Sequence, residues 1–200
     1  MQDNFPLGTV ITLTPWDPAE LWTLVSACLA KRPAVMVPFV TRPSETIIDR
    51  EALGLAPVKE AATGVYQLRR SEGKSEGSLV IQGSDVAYAF IEEAMPLLKE
   101  KGVDLDVYYV ASAELFDLLP TEEQHRTFPD SLAQTVMGIT GFTLPTLHKW
   151  VRSKYDRSMS LYPFQKGHFL GSGQAHMVLA EAGLDGESQF KAIMRYIENR

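Results

Sequence analysis

The chain has 200 residues, of which 45% are hydrophobic and 22% are charged, and its formal net charge is −6 at pH 7. This length accommodates one large domain, or one domain with a fragment of another. The acidic balance argues against nucleic acid or an anionic membrane as the main partner.

The first forty residues show the pattern of a β-α-β unit. The run VITLTP, residues 10–15, predicts a strand because it is rich in β-branched residues. Asp17 then offers a helix N-cap with Pro18 at the first helical position, and apolar residues recur at helical spacing. Pro33 ends this helix, and AVMVPFV, residues 34–40, is typical of a buried strand. The unit predicts two parallel strands joined by a crossover helix.

Residues 43–63 lose this periodicity and are interpreted as a linker, after which strands and helices alternate again. The predicted strands are VYQLRR (65–70), SLVIQG (78–83), LDVYYVAS (105–112), AQTVMGIT (133–140) and HFLGSG (168–173, with its turn). The predicted helices are 84–101, AELFDLL (113–119), TEEQHRTF (121–128), TLHKWVRSKY (146–155), and two that start at Gln174 and Glu187; SEGKSEG (71–77) is interpreted as a hairpin-like loop. The alternation predicts a three-layer αβα domain with a mainly parallel sheet covered on both faces.

Cysteine usage and the N-terminus predict the compartment. The single cysteine, Cys28, lies among apolar residues, so neither an intrachain disulfide nor a cysteine metal cluster is possible. A lone thiol in this setting is typical of a core residue and favours a reducing compartment. The first residues lack the pattern of a signal peptide and no apolar run reaches ~18 residues, so we expect a cytoplasmic chain without a membrane span.

Two glycine turns follow predicted strands and precede helices, where an anion site is geometrically possible. In QGSDV, residues 82–86, Asp85 places a carboxylate where a phosphate would bind, and neither a three-glycine fingerprint nor a P-loop ending is present. We interpret that turn as a strand–helix joint. In LGSGQAH, the residues Gly171, Ser172 and Gly173 form either an anion or regulator turn or a structural joint. No zinc-helix histidine pair and no nucleophile elbow occurs, so residue chemistry alone identifies no active site or metal site.

A resemblance to a known family rests on SLVIQGSDVAYAFIEEAMPLLKEKGVDLDVYYVASAELFD, residues 78–117. Its strand ending in the turn 83–86, the long helix, the next strand and the serine-to-aspartate stretch 112–117 resemble the C-terminal domain of transketolases. Residues 14–39 are similar to the last β-α-β of their pyrimidine-binding domain, and residues 168–185 to their final strand, turn and helix. The resemblance implies a β-α-β remnant at 1–42, a linker at 43–63 and a transketolase C-terminal-like domain at 64–200.

The resemblance also implies a function. Transketolases move two-carbon ketol units between sugar phosphates with thiamine diphosphate and a divalent cation, Mg or Ca. In the family, the diphosphate motif and the activating glutamate precede the region matched here, so this chain is expected to bind no cofactor and to be inactive alone. Arg42 is the candidate for the family's arginine that follows the last strand of the middle domain and helps to bind a substrate phosphate.

The leading hypothesis is therefore the C-terminal part of a transketolase, either a natural subunit or a fragment, whose partner is the N-terminal cofactor-binding portion. The alternative is a non-catalytic assembly or small-regulator-binding module of the same fold, acting through the LGSGQ turn and residues 141–167. An independent nucleotide-binding enzyme ranks last because no complete phosphate loop is present. Aromatic-rich stretches such as LHKWVRSKY predict a homodimer.

Overall fold

The computed structural model of the chain describes residues 4–40 and 45–199. Its N-terminal part contains β1 (Val10–Leu13), α1 (Glu20–Ala30) and β2 (Val35–Pro38), which confirms the predicted β-α-β order. β1 and β2 are parallel, with Val10 opposite Val35, and α1 forms the crossover between them. β1 is buried along its whole length, whereas β2 is partly exposed.

A second sheet forms the centre of the rest of the chain. Its strands are β3 (Val65–Arg69), β4 (Ser78–Gln82), β5 (Asp106–Val110) and β6 (Val136–Thr140), in the spatial order β3-β5-β4-β6. β4 is parallel to both β5 and β6, and β3 is antiparallel to β5. The predicted α/β class with a mainly parallel sheet is confirmed.

Helices cover both faces of this sheet. They are α2 (Ser84–Ala89), a π-helical segment (Phe90–Ala94), α3 (Met95–Glu100), α4 (Ala113–Asp117), α5 (Thr121–Thr127), α6 (Asp130–Ala133), α7 (Lys154–Met159), α8 (Ala175–Ala182) and α9 (Gly186–Glu198), with 3₁₀ helices at Val58–Thr63 and Leu144–Leu147. Alternate strand residues face opposite layers. Leu79 and Ile81 pack with Val86 on one face, whereas Val80 packs with Phe116 and Trp150 on the other. The three-layer arrangement follows from this alternation.

The π-helical segment lies where α9 crosses the long helix. Glu93 Oε2 accepts a hydrogen bond of 2.9 Å from the amide of Gly186, at the start of α9. A Cβ atom on Gly186 would overlap Glu93 and lie 3.0 Å from the carbonyl oxygen of Ala89. The bulge therefore supplies an acceptor to the neighbouring helix, and glycine permits the close approach of the two backbones.

The predicted helix at residues 146–155 is wrong. Leu147, Trp150 and Val151 are buried at helical spacing, but they belong to a 3₁₀ turn and an irregular segment. The amide of Arg152 donates to Ala133 O at 2.7 Å, which directs the chain away from a helical path. α7 begins only at Lys154, where Ser153 Oγ accepts from the backbone as an N-cap.

One strand prediction and one loop prediction also need correction. Residues 168–173 form no strand, because the outer edge of β6 is already used: Leu161 donates to Gly138 O at 2.9 Å and accepts from the amide of Thr140 at 3.0 Å. The loop 71–77 does not close a hairpin, because β5 lies between β3 and β4. Both errors concern pairing partners, which local sequence does not specify.

Candidate functional site

A buried ionic cluster joins the N-terminal β-α-β unit to the rest of the chain. Arg50 follows β2 and is only 7% exposed. Its Nε lies 2.9 Å from Asp17 Oδ2 and its Nη2 lies 2.8 Å from Glu20 Oε1. Its Nη1 donates to Ala56 O at 3.1 Å, and its guanidinium carbon is 4.5 Å from the centre of the Trp16 ring. Arg50 therefore holds the start of α1 against the residues that precede β3.

Glu20 is fully buried at the centre of this cluster. Besides Arg50, the hydroxyl of Tyr66 on β3 donates to Oε1, and the amide of Trp16 donates to Oε2 at 3.2 Å. Burial raises the pKa of Glu20 above its ordinary value, and the nearby Arg50 opposes that shift. The buried side-chain atoms of the cluster all have hydrogen-bond partners, which is typical of a structural network rather than of a site open to substrate.

Two further contacts fix β1 against the second sheet and its helices. The hydroxyl of Thr12 donates to the Glu114 carboxylate of α4, at 2.8 Å from Oε2. The hydroxyl of Tyr109 on β5 donates to Thr14 O at 2.7 Å. In these contacts, buried polar groups of the two parts of the chain form hydrogen bonds with each other. The β-α-β unit is therefore docked rather than loosely tethered.

The outer edge of β2 is uncovered in the part of the chain that the structure describes. The amide of Val35 donates to Thr9 O, just before β1, at 3.1 Å, and the amide of Phe39 donates to Leu13 O at 2.7 Å, so the parallel pattern directs the Met36 amide to the outer edge. Pro38 has no amide hydrogen. Val35, Phe39 and Val40 are 48, 45 and 60% exposed. Because parallel strands are normally buried within larger sheets, this apolar edge is the clearest candidate for a docking surface.

The outer face of α1 is a second exposed apolar surface. The helical spacing groups Trp22 and Leu29 with Leu24 and Cys28, but the structure places the two pairs on opposite faces. Leu24 and Cys28 are buried, whereas Trp22 is 76% and Leu29 57% exposed. A helix that is apolar on both faces is typical of an interior or interface position.

The predicted site residues do not come together. Arg42 lies outside the described residues. Gly171, Ser172 and Gly173 are exposed and precede α8, and neither glycine has a positive φ angle. A Cβ on Gly171 would lie 3.5 Å from Glu181 Oε2, so a carboxylate stands beside this turn and disfavours an anion. Anion or regulator binding there stays a prediction.

The turn after β4 is occupied by the protein's own groups. Ser84 Oγ donates to Trp16 O at 2.8 Å, and the amide of Ala87 donates to Gly83 O at 3.2 Å. Gly83 has a φ of 115°, a conformation that favours glycine. The turn joins strand to helix and also contacts the N-terminal unit.

Other candidate chemistry is not assembled within the described residues. They contain no group of three or more His, Cys, Asp or Glu side chains placed to hold a metal ion. All four histidines are exposed. Burial raises the pKa of the Cys28 thiol, and the charge of Glu114 adds to the shift, which disfavours a reactive thiolate. No helix in the described ranges has the length and hydropathy needed to cross a bilayer.

Fold and site define a class: an α/β chain with a four-stranded mixed sheet, docked to a two-stranded parallel sheet whose outer edge is apolar and uncovered. Solved transketolases share this fold. The transketolase from Leishmania mexicana matches with a TM-score of 0.72 and 16% identity, over 96% of this chain and 26% of that one. The transketolase from Campylobacter jejuni matches with a TM-score of 0.64 and 20% identity, over 94% of this chain and 26% of that one.

A third structure, described as a split gene transketolase in an inactive beta4 tetramer, matches with a TM-score of 0.54 and 16% identity, over 95% of this chain and 58% of that one. The sequence matches no protein-family model and no curated protein. At these identities the likeness shows the fold, and the chain spans about a quarter of the first two transketolases. The predicted resemblance to transketolases is confirmed at that level.

Sequence reasoning missed Arg50 and the uncovered edge of β2. Arg50 lies in a stretch without periodicity, where no local signal separates a buried arginine from a solvated one. A signal for the edge was present: AVMVPFV is a continuous apolar run, which is typical of a strand with neighbours on both sides. The described residues supply a neighbour on one side.

Proposed function

We propose that this chain is the C-terminal part of a transketolase, which supports the transfer of two-carbon ketol units between sugar phosphates only when joined to the cofactor-binding portion. The observation that carries the proposal is the apolar outer edge of β2, in a chain whose fold matches about a quarter of a transketolase. That edge is where the remainder of a larger parallel sheet would continue.

The edge favours packing over extensive backbone pairing. The Met36 amide offers one donor to an added strand, and Pro38 offers none. Val35, Phe39 and Val40 supply apolar side chains that an incoming segment would remove from water. A partner segment that packs apolar side chains on these residues, with at most a short backbone pairing at Met36, meets these requirements.

The cofactors belong to the partner portion in this proposal. Thiamine diphosphate would supply the carbanion chemistry, and its divalent cation, Mg or Ca, would hold the diphosphate. The family diphosphate motif has no counterpart in this chain.

Arg42 is proposed to contact a substrate phosphate beside the joined surface. Without the partner, we propose a homodimer in a cytoplasmic location; self-association of the split gene transketolase in an inactive tetramer supports assembly of such a chain with itself.

The test is reconstitution. The tagged chain is used to recover a thiamine-diphosphate-binding chain from extract of its own cells, and the purified pair is assayed with thiamine diphosphate, Mg²⁺, a ketose phosphate and an aldose phosphate. We expect no ketol transfer from this chain alone and transfer from the pair. If the chain is a segment of a longer polypeptide, the variants described below are assayed in the full-length enzyme.

A matched pair of variants locates the docking surface. Val40→Glu places a charge on the proposed edge and should weaken the pair at least roughly tenfold. Met177→Glu changes an equally exposed side chain, 60% in both cases, on α8, and should leave pairing unchanged. Ketol transfer by the isolated chain, or equal pairing of both variants, would contradict the proposal. A pair that forms but transfers no ketol unit would favour the assembly-module alternative.

A further inference from the structure

The carboxyl ends of β4 and β6 lie side by side at a point where the chain connections diverge. α2 follows β4 and packs Val86 on the face that carries Leu79 and Ile81. Residues 144–151, which follow β6, pack on the opposite face, where Leu147 Cδ1 lies 2.6 Å from the position of a Cβ on Gly138. In open α/β sheets, the crevice between two such strands is the usual place for a ligand.

A cavity of about 320 Å³ opens at this point. Its wall is formed mainly by apolar side chains from residues 163–170 and from α8, among them Pro163, Phe164, Leu170, Val178 and Leu179. Its volume suits a compact small molecule. Gly141 and Asp85, from the ends of β6 and β4, complete the lining between the two strands.

Asp85 is the one charged side chain among the described residues that line the cavity. Two glycines make room for its carboxylate: a Cβ on Gly141 would lie 2.7 Å from Asp85 Oδ1, and a Cβ on Gly83 would lie 3.2 Å from the same oxygen. The side chain stays accessible to solvent. Desolvation by the surrounding turn raises the pKa of Asp85, and the backbone amides of Val86 and Asp85 partly offset that shift.

A buried glutamine holds the backbone of one lining residue in place. Gln189 is fully buried, and its Nε2 donates to Val86 O at 3.0 Å and to Leu184 O at 2.8 Å. Leu184 itself lines the cavity. Gln189 Oε1 has no hydrogen-bond partner within the described residues. Gln189 does not itself line the cavity, so the acceptor that the site offers is the Asp85 carboxylate, which favours a ligand that donates hydrogen bonds.

We propose that the crevice between β4 and β6 binds a small molecule with a compact apolar body and one amine. The apolar wall takes the body, and the Asp85 carboxylate takes the ammonium group in a charge-assisted hydrogen bond. A phosphate or carboxylate is disfavoured because its charge repeats that of Asp85. No residue of the β2 edge lines the cavity, although Phe39 packs on Phe142, which follows the lining residue Gly141. The proposal does not rest on the proposed transketolase partnership.

The test uses three probes that share one apolar ring: cyclohexylamine, cyclohexanol and cyclohexanecarboxylate. Each is titrated into the full ¹⁵N-labelled chain at neutral pH while amide shifts are followed by NMR. We expect saturable shifts with cyclohexylamine, clustered at Asp85, Gly141 and Leu179. We expect cyclohexanol to bind roughly tenfold more weakly and cyclohexanecarboxylate to bind least.

Variants assign the two parts of the site. Asp85→Asn should weaken cyclohexylamine binding roughly tenfold, whereas Glu122→Gln, at an exposed position on α5, should not change it. Ala175→Trp fills the mouth of the cavity from an exposed helix position and should abolish binding even if Asp85→Asn proves unstable. Absence of saturable shifts, equal binding of amine and alcohol, or shifts that survive Ala175→Trp would overturn the proposal.

Discussion

Arg50 is the cation that pairs with both Asp17 and Glu20, and all three side chains are buried. Replacing it leaves two carboxylates without their ion-pair partner inside the protein. We expect Arg50→Met to lower the free energy of unfolding by about 3–5 kcal/mol, the usual cost of breaking a buried pair from one side. Urea unfolding measures this loss.

Two controls distinguish the effect of breaking the ion pair from the effect of removing a long side chain. Arg126→Met removes an exposed arginine of α5 and should change stability by less than about 0.5 kcal/mol. The double variant Arg50→Met/Glu20→Gln should recover part of the loss, because it removes one of the two unpaired carboxylates and leaves only that of Asp17. A double variant less stable than Arg50→Met would show that the guanidinium acts through packing on Trp16 instead.

At the level of single residues, sequence could identify roles that depend on neighbours along the chain. Asp17 is predicted as the N-cap of α1, but the helix begins at Glu20 with Ala19 at the N-cap position, and Asp17 Oδ1 instead accepts from the amide of Ala19 at 2.8 Å in the turn before the helix. Its ion pair with Arg50 depends on a residue 33 positions away, and no local pattern reports such a contact. The same limit applies to Asp85. The local sequence shows that its carboxylate disfavours a phosphate, but the cavity beside it is formed by α8, which lies far along the chain.

The N-terminus of α9 shows how one cap stabilises an element. Asp185 Oδ1 accepts from the amide of Ser188 at 3.1 Å, and Oδ2 accepts from its hydroxyl at 2.7 Å. Partial burial would raise the pKa of Asp185, but these hydrogen bonds outweigh it and hold the pKa below its usual value. The cap therefore stabilises the fold above the unfolded-state pKa, and this stability is lost as pH falls through the folded-state pKa.

We expect Asp185→Ala to lower the free energy of unfolding by about 1 kcal/mol at neutral pH. The difference from the parent chain should shrink as the carboxyl group is protonated at acid pH. Urea unfolding over a pH series measures it, with Glu122→Gln, at an exposed position in the first turn of α5, as the control. A difference that is constant with pH would show that the lost stability does not depend on the charge.

At the level of elements, the sequence predicted strands better than pairing or irregular segments. β1 to β6 lie within the predicted runs because each is a short apolar segment bounded by turn residues. The prediction of a helix at 146–155 is wrong because the buried residues Leu147, Trp150 and Val151 have the spacing of one helical face without forming a helix. The prediction of a strand at 168–173 is wrong because Leu161, which no sequence pattern distinguishes, occupies the edge of β6.

At the level of the whole molecule, one apolar cluster includes residues from both parts of the chain. Ile11 of β1 and Leu24 of α1 belong to the same cluster as Val107 and Tyr109 of β5. The predicted division into 1–42, 43–63 and 64–200 describes the order along the chain and stays a prediction. A shared core favours cooperative unfolding, because neither part keeps its packing when the other opens.

We therefore expect the β-α-β unit and the second sheet to unfold in a single transition. Hydrogen exchange under increasing urea, followed separately for peptides covering α1 and peptides covering β4 to β6, should give coincident midpoints. Leu24→Ala, which creates a cavity at a cost of about 2–5 kcal/mol, should lower both midpoints together. If α1 exchanges at lower urea while β4 to β6 stay protected, the two parts are separate folding units. The N-terminal unit would then depend on the cofactor-binding partner for its stability.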